Sequence, residues 1–285
     1  MEGILVATDF STRSDRAIRR ASLLARRAGA VLTLAHVVDD DQPQRRVDAE
    51  RGTAMALLNE YAASIRDIEG VTCNPRVVSG DASQAIVDTT VEVRAGLTVI
   101  GAHRRRLPRD IFLGTTAERT IRTSRVPVLM VRAVPAQEYR RILVGVDLSD
   151  NSAQALHVTE RLRLGGGLET TVLHVFDAPG IALMMRPSVS KDDLTAYLAR
   201  EGNAAKEQLD RFLADQRSAP TLRLVRPQKS STAGVLLDTA GETSADLIIV
   251  GTHGRTGIAK LLLGSVAEEI LRDSEIDVLT VPANR

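Results

Sequence analysis

Aromatic side chains are scarce in this chain: four Phe, three Tyr and no Trp among 285 residues. That removes the stacking platforms on which single-stranded nucleic acids lie. Charge supplies no substitute footprint, because 37 Lys+Arg stand against 36 Asp+Glu, and nucleic-acid binding rests on a cationic surplus that neutralises phosphates. A single cysteine, Cys73, excludes a disulfide framework and any multi-cysteine metal site, and reads as a free thiol in a reducing compartment. Long hydrophobic runs are missing as well; none approaches the roughly 20 apolar residues that span a bilayer. The short run ILVA near the start lies between Glu2 and Asp9 and reads as a strand, not a leader. We therefore expect a soluble cytoplasmic protein with no nucleic-acid partner and no integral membrane segment.

What is present is a sequence written twice. GILVATDFSTRSDRAI from Gly3 matches RILVGVDLSDNSAQAL from Arg141, LTLAHVVDD from Leu32 matches TVLHVFDA from Thr171, and LTVIGAH from Leu97 matches LIIVGTH from Leu247. FLGTTAERTIRTSRVPVLMVR then matches LLGSVAEEILRDSEIDVLTVP. A repeat this long is a domain duplication and not a solenoid. The expected domains are 1–135 and 140–285, joined by AVPAQEYR, with extra residues in the second copy placed at 178–193. Short Val/Ile/Leu runs, apolar on both faces, alternate in each copy with helical patterns such as SDRAIRRASLLARRA before Gly29. This is the pattern of a parallel sheet covered by helices. The expected fold is two tandem doubly wound, Rossmann-like α/β domains with five-stranded, mainly parallel sheets. Ligands of such sheets bind beyond the carboxyl ends of the strands at the switch in strand order, here strands 1, 2 and 4 of each copy.

At those ends stand matched polar residues. Strand 1 ends in Asp9-x-Ser11 and Asp147-x-Ser149. Each serine reads first as a helix N-cap, and each aspartate as a hydrogen-bond acceptor for ligand hydroxyls or as an Asx turn. His36 and His174 close strand 2, yet neither has ligand-spaced companions, so no metal site is expected. His103 and His253 follow strand 4. There the second copy reads GTHGRTGIAKLLLGS from Gly251, a loop of glycines leading into a helix start with Arg255 and Lys260 for charge. Backbone N–H groups at a helix N-terminus form a ready anion site. It is neither a Walker A nor a GxGxxG sequence. A structural alternative competes for the same N–H groups: Ser265 with Glu268, and Thr115 with Glu118, spell a capping box.

Taken together, ILVGVDLS, LHVF and Gly251-xx-Gly254-x9-Gly264-Ser265 resemble the universal stress protein family over essentially the whole chain, and the last frame resembles the ATP-binding signature of its nucleotide-binding branch. The resemblance implies a tandem member that binds ATP, with or without Mg²⁺, or AMP or ADP. By position, Asp147 would hold the ribose or adenine side, the backbone around Val146 and Val175 would line the adenine pocket, and Ser149 would belong to the same nucleotide site. Gly251, His253, Gly254 and Arg255 would approach the phosphates, and Gly264, Ser265 and Val266 would complete that site. The closing strands at 127–132 and 277–282 would pair internally as a pseudo-dimer, with a homodimer and an unidentified protein partner left open. In the first copy the matching set is Thr8, Asp9, Ser11, Val37, Gly101, Arg104, Gly114 and Thr115, where Arg104 replaces the second glycine. That copy is expected to bind weakly, to bind another anion, or to act as scaffold. No catalytic residues are assigned; an ATP-hydrolysing enzyme and a scaffold without nucleotide are the competing readings.

Overall fold

The computed structural model describes residues 3–102, 116–162, 167–178, 191–228, 231–252 and 263–283. In the first repeat, strands β1 (Gly3–Ala7), β2 (Val31–Val38), β3 (Cys73–Ser79), β4 (Leu97–Gly101) and β5 (Val128–Val131) alternate with helices α1 (Thr12–Ala28), α2 (Gln44–Glu69), α3 (Ala82–Glu92) and α4 (Thr116–Thr123). The second repeat supplies β6 (Arg141–Val146), β7 (Glu169–Phe176), β8 (Leu222–Pro227), β9 (Leu247–Gly251) and β10 (Asp277–Val281), with α5 (Asp150–Leu162), α6 (Lys191–Asp215), α7 (Thr232–Glu242) and α8 (Ser265–Asp273).

Local chemistry sets the ends of these elements. Helix α1 starts where the Ser11 side chain accepts the Ser14 N–H, and stops at Gly29, whose φ of 59° is the left-handed conformation a C-cap needs. Between them Ala17, Ile18, Ala21 and Ala25 form the buried stripe. Along β1 the pleat sends Ile4 and Val6 to the core beneath α1 and α2, and Leu5 to a core on the opposite face with Ile86 of α3. All three side chains are fully buried, so the unbroken apolar run reflects two covered faces. Helices α1, α2, α5 and α6 pack on one face, and α3, α4, α7 and α8 on the other. Each fully buried Leu or Ile stabilises by about 1.5–3 kcal/mol.

The strand order is β3-β2-β1-β4-β5-β10-β9-β6-β7-β8. Every neighbouring pair is parallel except β5 with β10, which run antiparallel with Leu129 opposite Leu279. The two five-stranded halves thus fuse through their closing strands into one ten-stranded sheet. The hydrophobic cores also cross this seam, since Leu129 and Leu279 share one cluster and Met130 and Val278 share the other.

The segment between the repeats is tied down rather than loose. Arg16, Arg19 and Arg20 of α1 donate to the carbonyls of Arg132, Pro135 and Gln137 at 2.7–2.9 Å. Asp277 of β10, fully buried, accepts from the Arg132 and Ala133 N–H groups at 2.8 and 3.0 Å, from Arg20 Nε at 3.1 Å, and from the Tyr139 hydroxyl. The Arg20 guanidinium also lies 3.9 Å from the Tyr139 ring centroid. Burial first, and then the Asp277 charge, push the Tyr139 phenol well above its ordinary pKa, which keeps it a neutral donor.

Candidate functional site

Each half reverses its strand order between β1 and β4, or between β6 and β9, and the polar residues collect at the carboxyl ends there. The Asp9 and Asp147 turns are near copies. Asp9 Oδ1 accepts from the N–H of Ser11 at 3.1 Å and from its hydroxyl at 2.5 Å; Asp147 Oδ1 does the same with Ser149, and also takes the Ser152 hydroxyl. The serine oxygens in turn accept the N–H of Ser14 at 3.4 Å and Ser152 at 3.3 Å, which are N-cap bonds. Burial raises the Asp9 carboxyl, but the Ser11 and Ser14 side chains and nearby N–H groups outweigh it and hold the acid below its ordinary pKa. The turn requires a left-handed residue between Asp and Ser, and Phe10 and Leu148 occupy it at φ 57° and 64°. Bulky residues there are strained by about 1–3 kcal/mol, which the surrounding packing offsets. Phe10 stacks 4.5 Å from the His36 ring, and Leu148 packs against the core.

His36 Nδ1 lies 2.8 Å from the Thr8 carbonyl and His174 Nδ1 lies 2.9 Å from the Val146 carbonyl. A carbonyl only accepts, so both rings carry their proton on Nδ1. These histidines pin strand 2 to strand 1, and among the described residues no group of three His, Cys, Asp or Glu could hold a metal ion.

Two cavities open at the strand ends. The first, about 540 Å³, is lined by Thr8, Asp9, Ser11, Arg13, His36, Val37, Gly101 and Thr116 among others. The second, about 550 Å³, is lined by Val146, Asp147, His174, Val175, Gly251, Gly264, Ser265 and Val266, with a further wall from Phe176, Asp177, Glu201, Gln208 and Gln228. Both volumes suit a small-molecule site. Of the residues expected to bind nucleotide, Ser149 does not reach the second cavity; its hydroxyl is committed to Asp147 and to the cap of α5. His253, Gly254 and Arg255, with Arg104, Gly114 and Thr115 of the first repeat and residues 179–190 of the insertion, lie outside the described residues.

The capping-box alternative is corrected at α8. Gly264, not Ser265, is the N-cap, and it makes no side-chain cap hydrogen bond. Ser265 is already the first helical residue, so it sits one place too late to act as the cap. Gly264 has φ −62° and ψ 144°, a conformation open to any residue, so its backbone does not itself demand glycine. Gly101 has a different reason: a Cβ there would meet the Arg13 carbonyl carbon and oxygen at 3.0 Å, so the end of β4 touches the first turn of α1. The helix that follows strand 3 is capped by Asp81 in one repeat and Ser231 in the other. Their partners differ to match: Arg119 pairs with Asp81 at 2.9 Å, and Ser231 donates to Glu269 at 2.6 Å.

Sequence reasoning missed the α6 wall, because Glu201 and Gln208 look like the solvated face of an amphipathic helix. Asp177, the residue after LHVF, was the available signal.

The fold and these cavities define a tandem α/β protein of the doubly wound class, with a ligand-sized crevice at the switch point of each half. The family model described as the universal stress protein family matches residues 1–132 and 138–282. The chain belongs to that family, with two domains of its type in tandem. It is 25% identical over 297 residues to a universal stress protein of Mycolicibacterium smegmatis, covering 98% of this chain and 96% of that protein. Universal stress protein E of Salmonella typhi is 24% identical, with 98% and 94% covered. The crystal structure of a universal stress protein from Archaeoglobus fulgidus superposes with a TM-score of 0.73 at 19% identity, over 99% of this chain and 98% of that one, a likeness of fold. No helix among the described residues is long and apolar enough to cross a membrane.

Proposed function

We propose that the second repeat binds an adenine nucleotide, ATP as its magnesium complex or AMP or ADP, and that occupancy serves a stress-response or signalling role by biasing conformation or partner choice. The observation that carries this reading is the second cavity itself. Apolar strand ends at Val146 and Val175 give way to Asp147 and then to an α8 N-terminus whose N-cap, Gly264, offers no capping side chain. An apolar slot suits a base, a carboxylate suits ribose hydroxyls, and uncapped N–H groups on a positive helix end suit phosphates. Gly254 and Arg255, which lie in sequence between β9 and α8, would add the close backbone approach and the charge.

The first repeat ranks below it. Arg104 stands there in place of the second glycine. Ligand control follows from differential affinity for two states of the fused sheet or of its partner surface. The proposal includes no chemical turnover.

Small molecules released by heat from the purified protein, identified by mass spectrometry, test the reading. Adenine nucleotide from the wild type and none from Asp147→Ala supports it. An adenine-free eluate, from protein that also fails to take up added ATP, overturns it.

A further inference from the structure

Helices α2 and α6 are the same element of the two repeats, but they sit differently on the sheet. In its first half α2 buries Val47 and Ala54. From Asp192 to Ala204 of α6 no residue is buried. That half leans instead on a satellite cluster of Phe176, Ala178 and Ala205, with the Phe176 ring 3.7 Å from the position a Cβ on Gly202 would take. Aligning the helices at their first residues, Gln44 and Lys191, places Glu201 opposite buried Ala54 and Ala205 opposite Leu58. A carboxylate and a smaller side chain thus replace two residues that seat α2 on its strands, and the second cavity extends into the resulting space. The first cavity has no lining residue from α2.

This extension lies at the β7 end of the cavity, away from the α8 N-terminus. If phosphates occupy that N-terminus and ribose meets Asp147, the base falls against Phe176, Ala205 and Glu201. The Glu201 side chain is 37% exposed and has a loose ion pair with Arg200 at 3.8 Å. Beside it Thr232 donates to Gln228 Oε1 at 3.2 Å, which leaves the Gln228 amide N–H groups for an acceptor.

We propose that Glu201 is a specificity-determining residue of the second repeat, which accepts a hydrogen bond from an exocyclic amino group of the bound base. This rests on the nucleotide reading above. An ionised carboxylate can only accept, so it favours a 6-amino group and opposes a 6-carbonyl at the same place.

Calorimetric titration with ATP and with inosine triphosphate tests the assignment. The wild type should prefer ATP roughly 10- to 100-fold, the range of one charge-assisted hydrogen bond. Glu201→Ala should bring the two affinities within about threefold, by weakening ATP and relieving the repulsion of the 6-carbonyl of inosine triphosphate, and Glu201→Gln, whose amide can donate, should shift preference toward inosine triphosphate. Glu201 is half-buried at the cavity wall, so unchanged urea midpoints should show that both variants fold. A wild type that does not discriminate, or an unchanged ratio in Glu201→Ala, overturns the role of Glu201 while nucleotide binding stands. A wild type that binds neither overturns both.

Discussion

Asp277 is where the two repeats are most tightly fastened, and its removal has a calculable cost. Its side chain is fully buried and the Arg20 side chain is 6% exposed. Asp277→Ala strips the acceptor from four donors: Arg20 Nε, the Tyr139 hydroxyl and the N–H groups of Arg132 and Ala133. Removing one partner of a buried ion pair costs about 3–5 kcal/mol, because the other charge stays behind uncompensated. Arg20 keeps the Gln137 carbonyl at 2.8 Å and the Tyr139 ring, which places the variant near the lower figure. Arg20→Ala should cost a similar amount, about 3–5 kcal/mol, since it leaves the fully buried Asp277 carboxylate without its countercharge, although three hydrogen bonds to that carboxylate remain. With an m-value of about 3 kcal/mol per molar urea, Asp277→Ala should lower the unfolding midpoint by about 1 M. The double variant should fall short of the sum by roughly 1–2 kcal/mol, the coupling of groups in one network. A midpoint for Asp277→Ala within about 0.3 M of the wild type, under 1 kcal/mol at that m-value, or additive single variants, would refute this account of the seam.

Two further outcomes follow from the packing. Gly101→Ala sets a Cβ 3.0 Å from Arg13 backbone that cannot rotate away, and should destabilise the fold by about 1–3 kcal/mol as an overpacking change, read in the same urea assay. Cys73 is buried, and that burial, partly opposed by Arg66, pushes its thiol up to about 11 from 9.0. Because the folded value lies above the unfolded one, its contribution to stability is complete below pH 9 and declines as pH rises toward 11; a thiol reagent at pH 8 should label it only on unfolding.

The duplication, the strands and the helix ends were legible because each is a local signal: period, cap, or apolar run between covered faces. The end of α1 at Gly29 is one such case, where a single glycine marks a left-handed C-cap. The seam was not legible in the same way. Asp277 looks like a charged residue at the mouth of a strand, and its partner Arg20 lies 257 positions away among the arginines of α1. The Asx turn at Asp9 and Asp147 was one of the two readings that the sequence offered, but its left-handed residues were not legible, since Phe10 and Leu148 take dihedrals that would ordinarily announce themselves with glycine. At α8 the pattern Ser265-x-x-Glu268 met the sequence rule for a capping box, but the helix starts one residue earlier than that rule assumes, with Gly264 as cap. In the candidate site, Val146, Asp147, Val175, Gly251, Gly264, Ser265 and Val266 line one cavity; the family resemblance implied them as one set, and their role toward a nucleotide is the proposal made above. The α6 wall did not come from the repeat, because it arises from a difference between the copies.

The stoichiometry of ATP binding bears most directly on the central claim that the second repeat is the nucleotide site. Calorimetric titration of the full chain, beside Asp147→Ala and its first-repeat counterpart Asp9→Ala, should show ATP binding in the wild type and in Asp9→Ala, and loss or severe weakening in Asp147→Ala. Absence of binding in the wild type, or loss on Asp9→Ala with Asp147→Ala unaffected, would contradict it.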